Sequence, residues 1–410
     1  MKIGYVMNSY PMPSTTFIGR EIAELEKQGW SIRRYAIRPW DGELVDPNDQ
    51  AEKRKTRYLL TGSRSALLGS ALREISTNPL GVLRALGLWW QLLAAGGGLI
   101  RHAAYFLEAM ALRRDARAQG ITHLHAHFSS NSAAIAMLSR AMGGPRFSFT
   151  VHGPDEFFRP YSNSLGLKIA HAERIVAISH FCRSQLMFFS DPACWDRIAI
   201  VHCGVNPDDY GRRRPRSFGK HVVFVGRLDP VKGTPLLVEA FAAAHASHPD
   251  ARLTVVGDGP ARAGLEAQVR KLGLGDVVTF AGFRSQGEVT EILDDADMLV
   301  LPSFAEGVPV VLMEAMASRI PVIASRVAGV SELVEDGISG HLVAPGDVAA
   351  LAARLEALMS DPDLCSGMGA AGRAMVEAEF HIAHEVRWLS QVLSGKAPKG
   401  QLRPGAGTSC

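Results

Sequence analysis

Short apolar runs with the composition of β-strands alternate with helical patterns along almost the whole chain, and this alternation limits its fold most strongly. The runs recur at roughly 20–30 residues in the second half, the length of one strand and helix unit. Runs that are apolar throughout indicate parallel strands covered on both faces. Six lie in each half: 3–7, 30–37, 121–128, 147–151, 174–178 and 198–202, then 222–225, 253–256, 277–280, 298–301, 321–324 and 341–343. The pattern predicts an α/β protein with two parallel sheets.

A chain of 410 residues exceeds the roughly 250–300 residues that one hydrophobic core supports, so we expect two domains. The first is predicted at 1–205 and the second at 221–385, joined by a polar linker at 206–220. Residues 386–394 are predicted to form a terminal helix that packs back on the first domain. Residues 395–410 lack apolar periodicity and are predicted to form a disordered tail.

The formal net charge is +3, so no overall basic field favours nucleic-acid binding. Segment 53–117 differs from the rest, because it has eleven basic and three acidic residues and the adjacent Trp89 and Trp90. Its uncharged run, 85–100, is shorter than the ~20 residues needed to span a bilayer. Such basic amphipathic helices suit an anionic membrane surface; alternatively, they simply pack on the domain.

The cysteines and the first residues favour the cytoplasm. Five cysteines without a CxxC pair argue against a disulfide framework and a zinc knuckle. Residues 1–7 read as a buried strand and lack the features of a signal peptide. We expect a cytoplasmic protein, attached peripherally to the inner face of the plasma membrane if segment 53–117 binds lipid.

Two loops are predicted at the carboxyl edge of the second sheet, where open α/β proteins bind ligands. After the strand at 298–301, Gly307 opens a helix whose N-terminus favours an anion. Glu306 and Glu314 are spaced to share one face of that helix. After the strand at 222–225 come Arg227 and Lys232, a pair that suits a diphosphate. Since the chain has neither a P-loop nor a complete GxGxxG motif, hydrolysis of ATP and binding of NAD are disfavoured.

Two patterns could suggest a metal site. Asp295 and Asp297 form a DxD motif, but they precede a strand and so belong to the opposite edge of the sheet. His123, His125 and His127 share one face of a strand, with no cysteine or carboxylate beside them in sequence. We therefore expect no metal, and we expect buried or cleft-lining histidines, with His127 facing the acceptor.

The motifs of the second half together resemble those of the retaining glycosyltransferases of family 4. The resemblance rests on Gly226-Arg227, Lys232-Gly233, residues 257–260, Gly282-Phe283, Pro302-Ser303, Glu306-Gly307, residues 314–317 and 321–324, Gly337 and Gly340. It implies the GT-B fold, an α/β architecture with two facing Rossmann-like domains and a deep interdomain cleft, in which the second domain binds a nucleotide sugar.

The resemblance also implies roles for single residues. Arg227 and Lys232 would hold the donor diphosphate, while Glu306 would bind the transferred sugar and Glu314 the ribose. Further donor contacts are implied for Gly226, Gly257, Gly282, Phe283, Gly307, Val308, Pro309 and Val310. No metal cofactor is expected. A UDP-sugar is favoured over GDP-mannose, although the residues themselves leave the base open.

The first half resembles the same family through its strand-end histidine motif at 150–155, which implies that His152 faces the donor sugar. Its opening, 8–22, is similar to that of exopolysaccharide and colanic-acid-type transferases, but it lacks a paired-glycine loop. The residues expected on the acceptor side are Ser14, Thr15, Thr16, His127 and Asp155.

These observations predict a retaining hexosyltransferase that acts on a lipid-linked saccharide in cell-surface or exopolysaccharide biosynthesis. The resemblance implies substitution on the front face, in which the leaving phosphate oxygen accepts the proton of the acceptor. One alternative is a GT-B nucleotide-sugar 2-epimerase or phosphorylase. Another is a non-catalytic scaffold of a polysaccharide assembly complex, against which the complete set of Arg, Lys and Glu residues argues.

Overall fold

The computed structural model describes residues 1–60, 64–161, 163–211, 217–398 and 400–403. The chain forms two compact units: unit 1 comprises Met1–His202 and His384–Cys410, and unit 2 comprises Cys203–Ala383. The chain therefore passes from one unit to the other twice, and its last helix returns to the unit that contains its first strand.

Unit 1 is built on a seven-stranded parallel sheet in the order β3-β2-β1-β4-β5-β6-β7. The strands are β1 Lys2–Ser9, β2 Ser31–Arg38, β3 Arg57–Tyr58, β4 His123–His127, β5 Arg146–Val151, β6 Arg174–Ala177 and β7 Ile198–Ile200. The helices are α1 Thr16–Lys27, α2 Pro47–Lys55, α3 Arg64–Thr77, α4 Pro79–Ala94, α5 Leu99–Ala118, α6 Asn131–Ala141, α7 Leu165–His171 and α8 His180–Phe188. The six predicted strands are confirmed. The seventh, β3, was not predicted because its two residues are too few for a recognisable apolar run.

Unit 2 contains a six-stranded parallel sheet in the order β10-β9-β8-β11-β12-β13. Its strands are β8 His221–Val225, β9 Arg252–Val256, β10 Val278–Gly282, β11 Met298–Leu301, β12 Val322–Ser325 and β13 Gly340–Val343. Its helices are α9 Thr234–Ser247, α10 Arg262–Lys271, α11 Gln286–Asp294, α12 Val310–Ala317, α13 Val330–Leu333, α14 Val348–Ser360 and α15 Pro362–Glu379, and α16 Ile382–Ser394 follows. All six predicted strands are confirmed. The strand order reverses between β8 and β11, which opens a crevice at their carboxyl ends.

The basic segment 53–117 contains helices α3 and α4 and all but the last residue of α5. Helix α4 buries Val82 and Leu92, whereas Leu83 and Trp90 remain exposed. The segment therefore packs on unit 1 with part of its apolar surface uncovered. Across the described ranges, no helix is both long enough and apolar enough to cross a membrane.

The polar stretch that the sequence assigns to a linker is in part docked on unit 2. Residues Pro207–Asp209 form a 3₁₀ turn, and Tyr210 is buried. Nη1 of Arg373 donates to the carbonyl oxygens of Pro207 at 2.6 Å and Ala317 at 2.8 Å. The predicted linker at 206–220 is thus wrong for 206–211, because a buried guanidinium fixes that backbone. Residues 212–216 lie outside the described residues.

The end of the chain is ordered further than predicted. Trp388 of α16 is buried and donates from Nε1 to the carbonyl oxygen of Ile200 at 2.9 Å. Beyond the helix, the N–H of Ile200 donates to the carbonyl oxygen of Leu402 at 3.1 Å, and Arg403 pairs with Glu385 at 2.6 Å. These contacts contradict the predicted tail at 395–410 for residues up to 403. Residues 399 and 404–410 are outside the described part.

Replacing Arg373 by alanine should destabilise unit 2 by roughly 2–4 kcal/mol, because buried carbonyl groups lose their donor. The measurement is the midpoint of thermal or urea unfolding, followed by circular dichroism. Arg270→Ala is the control, since Arg270 is exposed at the end of α10 and its loss should change stability by less than about 0.5 kcal/mol. Equal midpoints for Arg373→Ala and the wild type would contradict the docking of 206–211.

Candidate active site

The loops after β8 and β11 meet at the point where the strand order of unit 2 reverses. The N–H of Phe304 donates to the carbonyl oxygen of Val231 at 2.7 Å, which joins the two loops directly. The cations of one loop and the carboxylate of the other therefore occupy one edge of the sheet.

Lys232 and Glu306 form an ion pair across these loops. Nζ of Lys232 donates to Oε1 of Glu306 at 2.6 Å, and the Glu306 side chain is only 9% exposed. An ammonium group has three N–H donors, so this pair leaves two for a further anion. Arg227 is 67% exposed, and its guanidinium lies 3.6 Å from Asp229. The site thus combines a fixed positive charge with a solvent-exposed one.

The start of helix α12 lies beside this pair. Pro309 is the N-cap residue, and no side chain caps the helix. The N–H of Leu312 already donates to the carbonyl oxygen of Pro309 at 3.1 Å, so the N–H groups that precede it in the first turn are the ones left for an anionic group. Glu306 lies in the loop before the helix, so the prediction that Glu306 and Glu314 share one helix face is wrong. The reason is that the chain is still extended at Pro309 (ψ 120°) and becomes helical only at Val310.

Glu314 is buried within α12, and its Oε1 accepts two hydrogen bonds. The donors are the hydroxyl of Tyr210 at 3.2 Å and Nε2 of Gln286 at 3.0 Å. Sequence reasoning missed both residues. An aromatic residue within an otherwise polar stretch was the only signal for Tyr210, and Gln286 had none.

The glycine turn after β9 brings three stretches of backbone close together. Gly257 donates its N–H to the carbonyl oxygen of Gly282 at 2.8 Å and has a φ of +123°. A Cβ atom on Gly257 would lie 2.0 Å from the carbonyl oxygen of Gly226. These three predicted donor residues are therefore also packing residues, while the neighbouring Phe283 is 53% exposed. The other predicted donor residues, Gly307, Val308, Pro309 and Val310, lie in the loop and first turn that contain the N-cap of α12.

The DxD residues lie at the amino edge of the sheet and make structural contacts there. Oδ2 of Asp297 accepts from the backbone N–H groups of Gly219 at 3.0 Å and His221 at 2.9 Å. Asp295 pairs with Arg252 at 2.6 Å. Both carboxylates thus connect strand ends, as their position before β11 predicts.

In unit 1, His152 lies just after β5 and is held by aromatic rings. The ring centroids of Phe17 and Phe128 each lie 4.7 Å from that of His152, and the ring of His127 stacks on it at 5.1 Å. Burial lowers the pKa of His152 well below its ordinary value, so the imidazole is neutral at neutral pH. No sequence pattern indicated that either phenylalanine would contact His152.

Glu156 and Lys168 join the loops that follow β4 and β5. The buried carboxylate of Glu156 accepts from the backbone N–H of His152 at 2.6 Å and also from that of Ser129. Nζ of Lys168 donates to the carbonyl oxygen of Ser129 at 2.6 Å. Burial lowers the pKa of Lys168 to about 7. Sequence reasoning missed these contacts, because the residues that form them are not close enough in the chain to make a recognisable motif.

The residues predicted on the acceptor side differ in accessibility. Ser14 and Asp155 are exposed, and Thr16 is partly exposed at the start of α1. The hydroxyl of Thr15 is buried and donates to the carbonyl oxygen of Met12 at 2.9 Å, so it shapes its own turn. His127 is completely buried, so the predicted direct contact of His127 with an acceptor is wrong.

The histidines of β4 belong to a buried polar network. His123 Nε2 and His125 Nδ1 each lie 2.7 Å from Oγ of Ser148, and His125 Nε2 lies 2.9 Å from Oγ1 of Thr150. Glu21 of α1 adds a carboxylate that was not predicted: one ligand atom each of Glu21, His125 and His127 lie within 4.8 Å of one another. Hydroxyl groups contact both nitrogens of His125. These contacts do not test for a metal ion, so the expectation of no metal stays a prediction.

Comparisons with known proteins match both halves of the chain. A family model described as "Glycosyl transferases group 1" matches residues 213–375, and one described as "Glycosyltransferase Family 4" matches residues 96–209. The chain is 27% identical to the amylovoran biosynthesis glycosyltransferase AmsK of Erwinia amylovora, over 96% of this chain and 99% of that protein. It is 28% identical to the putative colanic acid biosynthesis glycosyltransferase WcaL of Escherichia coli, over 96% of this chain and 100% of that protein.

Solved structures share the fold. HepE of Anabaena in complex with UDP superposes with a TM-score of 0.74 at 18% identity, covering 96% of this chain and 100% of that one. The lipopolysaccharide outer core galactosyltransferase WaaB superposes with a TM-score of 0.67 at 18% identity, covering 97% of this chain and 100% of that one. This likeness confirms the predicted GT-B fold.

Gly257→Ala should destabilise unit 2 by roughly 2–3 kcal/mol, because φ is unfavourable for alanine and Cβ would meet backbone. The matched control is Gly264→Ala within α10, where an added Cβ meets nothing within 4 Å and should stabilise by about 0.5–1 kcal/mol. Thermal unfolding of both variants measures the difference. A wild-type midpoint for Gly257→Ala would contradict the close approach of the two turns.

Proposed function

Because the chain belongs to the family 4 glycosyltransferases, we propose that it transfers a hexose from a UDP-sugar to a saccharide, with retention of anomeric configuration. The observation that carries the site assignment is the Lys232–Glu306 pair, which lies beside Arg227 and the uncapped start of α12. A UDP complex and a UDP-glucose complex of HepE support the choice of UDP.

The positive groups of unit 2 would bind the donor diphosphate. As the bond between the sugar and the phosphate breaks, negative charge grows on the leaving oxygen. Lys232, Arg227 and the N–H groups of α12 stabilise that charge more in the transition state than in the ground state. We propose that these groups need no metal ion, since Asp295 and Asp297 serve the opposite edge of the sheet.

The carboxylates would bind the hydroxyl groups of the donor. Glu306 is fixed by Lys232 and accepts from the transferred hexose, whereas Glu314 is fixed by Tyr210 and Gln286 and accepts from the ribose. A site that hydrogen-bonds a hydroxyl discriminates strongly against analogues that lack it.

Transfer would occur on one face of the sugar. The bond from the anomeric carbon to the diphosphate breaks and a bond to the acceptor oxygen forms, while the proton of the acceptor moves to the leaving phosphate oxygen. His152, with its ring fixed by Phe17 and Phe128, orients the hexose by a hydrogen bond to a hydroxyl group.

Lys232→Ala should lower kcat at least about a hundredfold, roughly 2.7 kcal/mol of transition-state stabilisation. The assay follows UDP release from UDP-hexoses and GDP-mannose with saccharide acceptors, and the anomeric proton of the product is read by NMR. Lys271→Ala is the control, because Lys271 is exposed at the end of α10. EDTA should leave turnover unchanged.

Three outcomes would contradict the proposal. EDTA inactivation reversed by a divalent cation would exclude the metal-independent mechanism. An inverted product would exclude retention. Conversion of the nucleotide sugar without an acceptor would indicate an epimerase instead.

We propose that the acceptor is a lipid-linked saccharide of exopolysaccharide biosynthesis, and the names of AmsK and WcaL, which give amylovoran and colanic acid biosynthesis, support this proposal. We define the α4–α5 surface by its exposed apolar and basic residues, Leu80, Leu83, Leu86, Trp90, Leu99, Ile100, Arg84 and Arg101. Apolar side chains between arginines suit insertion among anionic headgroups. We propose that this surface binds the inner face of the plasma membrane peripherally.

The double variant Leu83→Glu/Trp90→Glu should bind anionic phosphatidylglycerol vesicles at least about tenfold more weakly, because two exposed apolar side chains that would insert into the bilayer are lost and charge repulsion is added. Vesicle co-sedimentation measures the binding. Leu272→Glu is the control, since Leu272 is an exposed leucine of unit 2. Equal partitioning of the wild type and the double variant would remove the membrane proposal.

A further inference from the structure

We propose that Glu156 is a positioning residue for the transfer step. Its carboxylate fixes the backbone of His152 and also the left-handed turn at Phe128, whose ring contacts that of His152. The inference rests on the proposed function, in which His152 contacts the transferred sugar. It assigns a part in the reaction to a buried carboxylate that contacts neither substrate in that proposal.

The carboxylate of Glu156 connects the ends of two neighbouring strands. Oε1 accepts from the backbone N–H of His152, just after β5, at 2.6 Å, and Oε2 accepts from the backbone N–H of Ser129, just after β4. Glu156 is only 7% exposed, so solvent has little access to these bonds. Because one planar group accepts from both loops, the backbone of His152 is fixed relative to that of Ser129.

The residue between β4 and Ser129 has an unusual backbone conformation. Phe128 has a φ of +69°, in the left-handed region that residues with a Cβ atom seldom adopt. Its N–H donates to the carbonyl oxygen of Thr150 at 2.9 Å, and its carbonyl oxygen accepts from Oγ of Ser132 at 3.1 Å. Such a conformation persists only where the surrounding contacts hold it, and such residues cluster at functional sites.

Ser129 follows the turn and is held by both of its backbone polar groups. Its N–H donates to Glu156, and its carbonyl oxygen accepts from Nζ of Lys168 at 2.6 Å. Both side chains are buried. They therefore keep Phe128 in a conformation that glycine would adopt more easily.

The left-handed turn is best explained by the ring that it places. The ring centroid of Phe128 lies 4.7 Å from that of His152, and Phe128 is only partly buried. A partly buried ring contributes less to the core than a fully buried one, so core packing alone is a weak reason for a strained phenylalanine. Glu156 thus acts on His152 twice, directly through its N–H and indirectly through Phe128.

Glu156→Gln keeps the size of the side chain but replaces one acceptor oxygen by an NH₂ group, which cannot accept from a backbone N–H. One of the two loops is released, and the imidazole of His152 moves. We expect kcat to fall at least about tenfold, since misplacement of a positioned group by about 1 Å can slow a reaction about a hundredfold. The KM for the donor should change less than about twofold, because the groups proposed to bind its diphosphate and ribose lie in unit 2.

The first measurement is ¹H–¹³C NMR of the full chain labelled in its histidine rings, with the signals of His152 assigned from a His152→Asn variant. The rings of Phe17 and Phe128 shift the ring protons of His152 by their ring currents, so any movement of the imidazole changes its signals. Glu156→Gln should change them.

Glu24→Gln is the matched control in unit 1, because it makes the same change of charge and size. Glu24 of α1 pairs with the exposed Lys27 at 3.1 Å. This variant should leave both the signals of His152 and kcat unchanged.

Phe128→Gly separates the positioning role from stability. Glycine adopts a φ of +69° without strain, so the turn is kept while the ring is removed. We expect kcat to fall at least about tenfold, while the unfolding midpoint falls less than that of Glu156→Gln. The variant also keeps the test decisive if Glu156→Gln does not fold.

Three results would overturn the proposal: unchanged signals of His152 in folded Glu156→Gln, an unchanged kcat in that variant, or a wild-type kcat in Phe128→Gly. The spectrum is read without turnover. If the wild type transfers no sugar yet Glu156→Gln moves the ring of His152, the proposed function fails and the positioning of His152 by Glu156 stands.

Discussion

Parallel pairing of strands that are covered on both faces is the constraint on which both units depend. Because neighbouring parallel strands run in the same direction, every connection between them must cross a face of the sheet, and the loops that follow the strands all lie at one edge. Where the order reverses, between β8 and β11, neighbouring helices lie on opposite faces and leave a crevice. The cations after β8 and the carboxylate after β11 meet there for that reason, although 74 residues separate Lys232 from Glu306.

The two units use buried charge in the same way, by holding each carboxylate with donors on separate segments. In unit 2, Glu314 connects α12 to Tyr210 and α11. In unit 1, Glu156 connects the loops after β4 and β5, and Lys168 reinforces that connection. A buried carboxylate is costly unless such donors surround it, so each contact fixes the segments on both sides.

The strands and the composition of the donor loops could be predicted from the sequence, because both depend on local pattern. Contacts between distant residues could not be predicted. Tyr210 and Arg373 show this. By composition, the polar stretch at 206–211 is typical of a linker, but the buried guanidinium of Arg373 donates to its carbonyl oxygens and holds it on unit 2. The end of the chain could not be predicted for the same reason. The backbone hydrogen bond between Ile200 and Leu402 produces no periodic pattern of apolar residues in the sequence.

The histidines of β4 show that a sequence pattern can predict the positions of side chains without predicting their contacts. The spacing in sequence correctly places three imidazoles on one strand, but it says nothing of the neighbours that decide their protonation. In the structure, hydroxyl groups contact His125, while a carboxylate from α1 faces His127. Nδ1 of His123 and Nε2 of His127 have no hydrogen-bond partner among the described residues, so residue type alone does not decide what this cluster binds. Nδ1 of His127 lies 2.9 Å from Nε2 of His152, so the last of these buried rings contacts the ring that is proposed to meet the sugar.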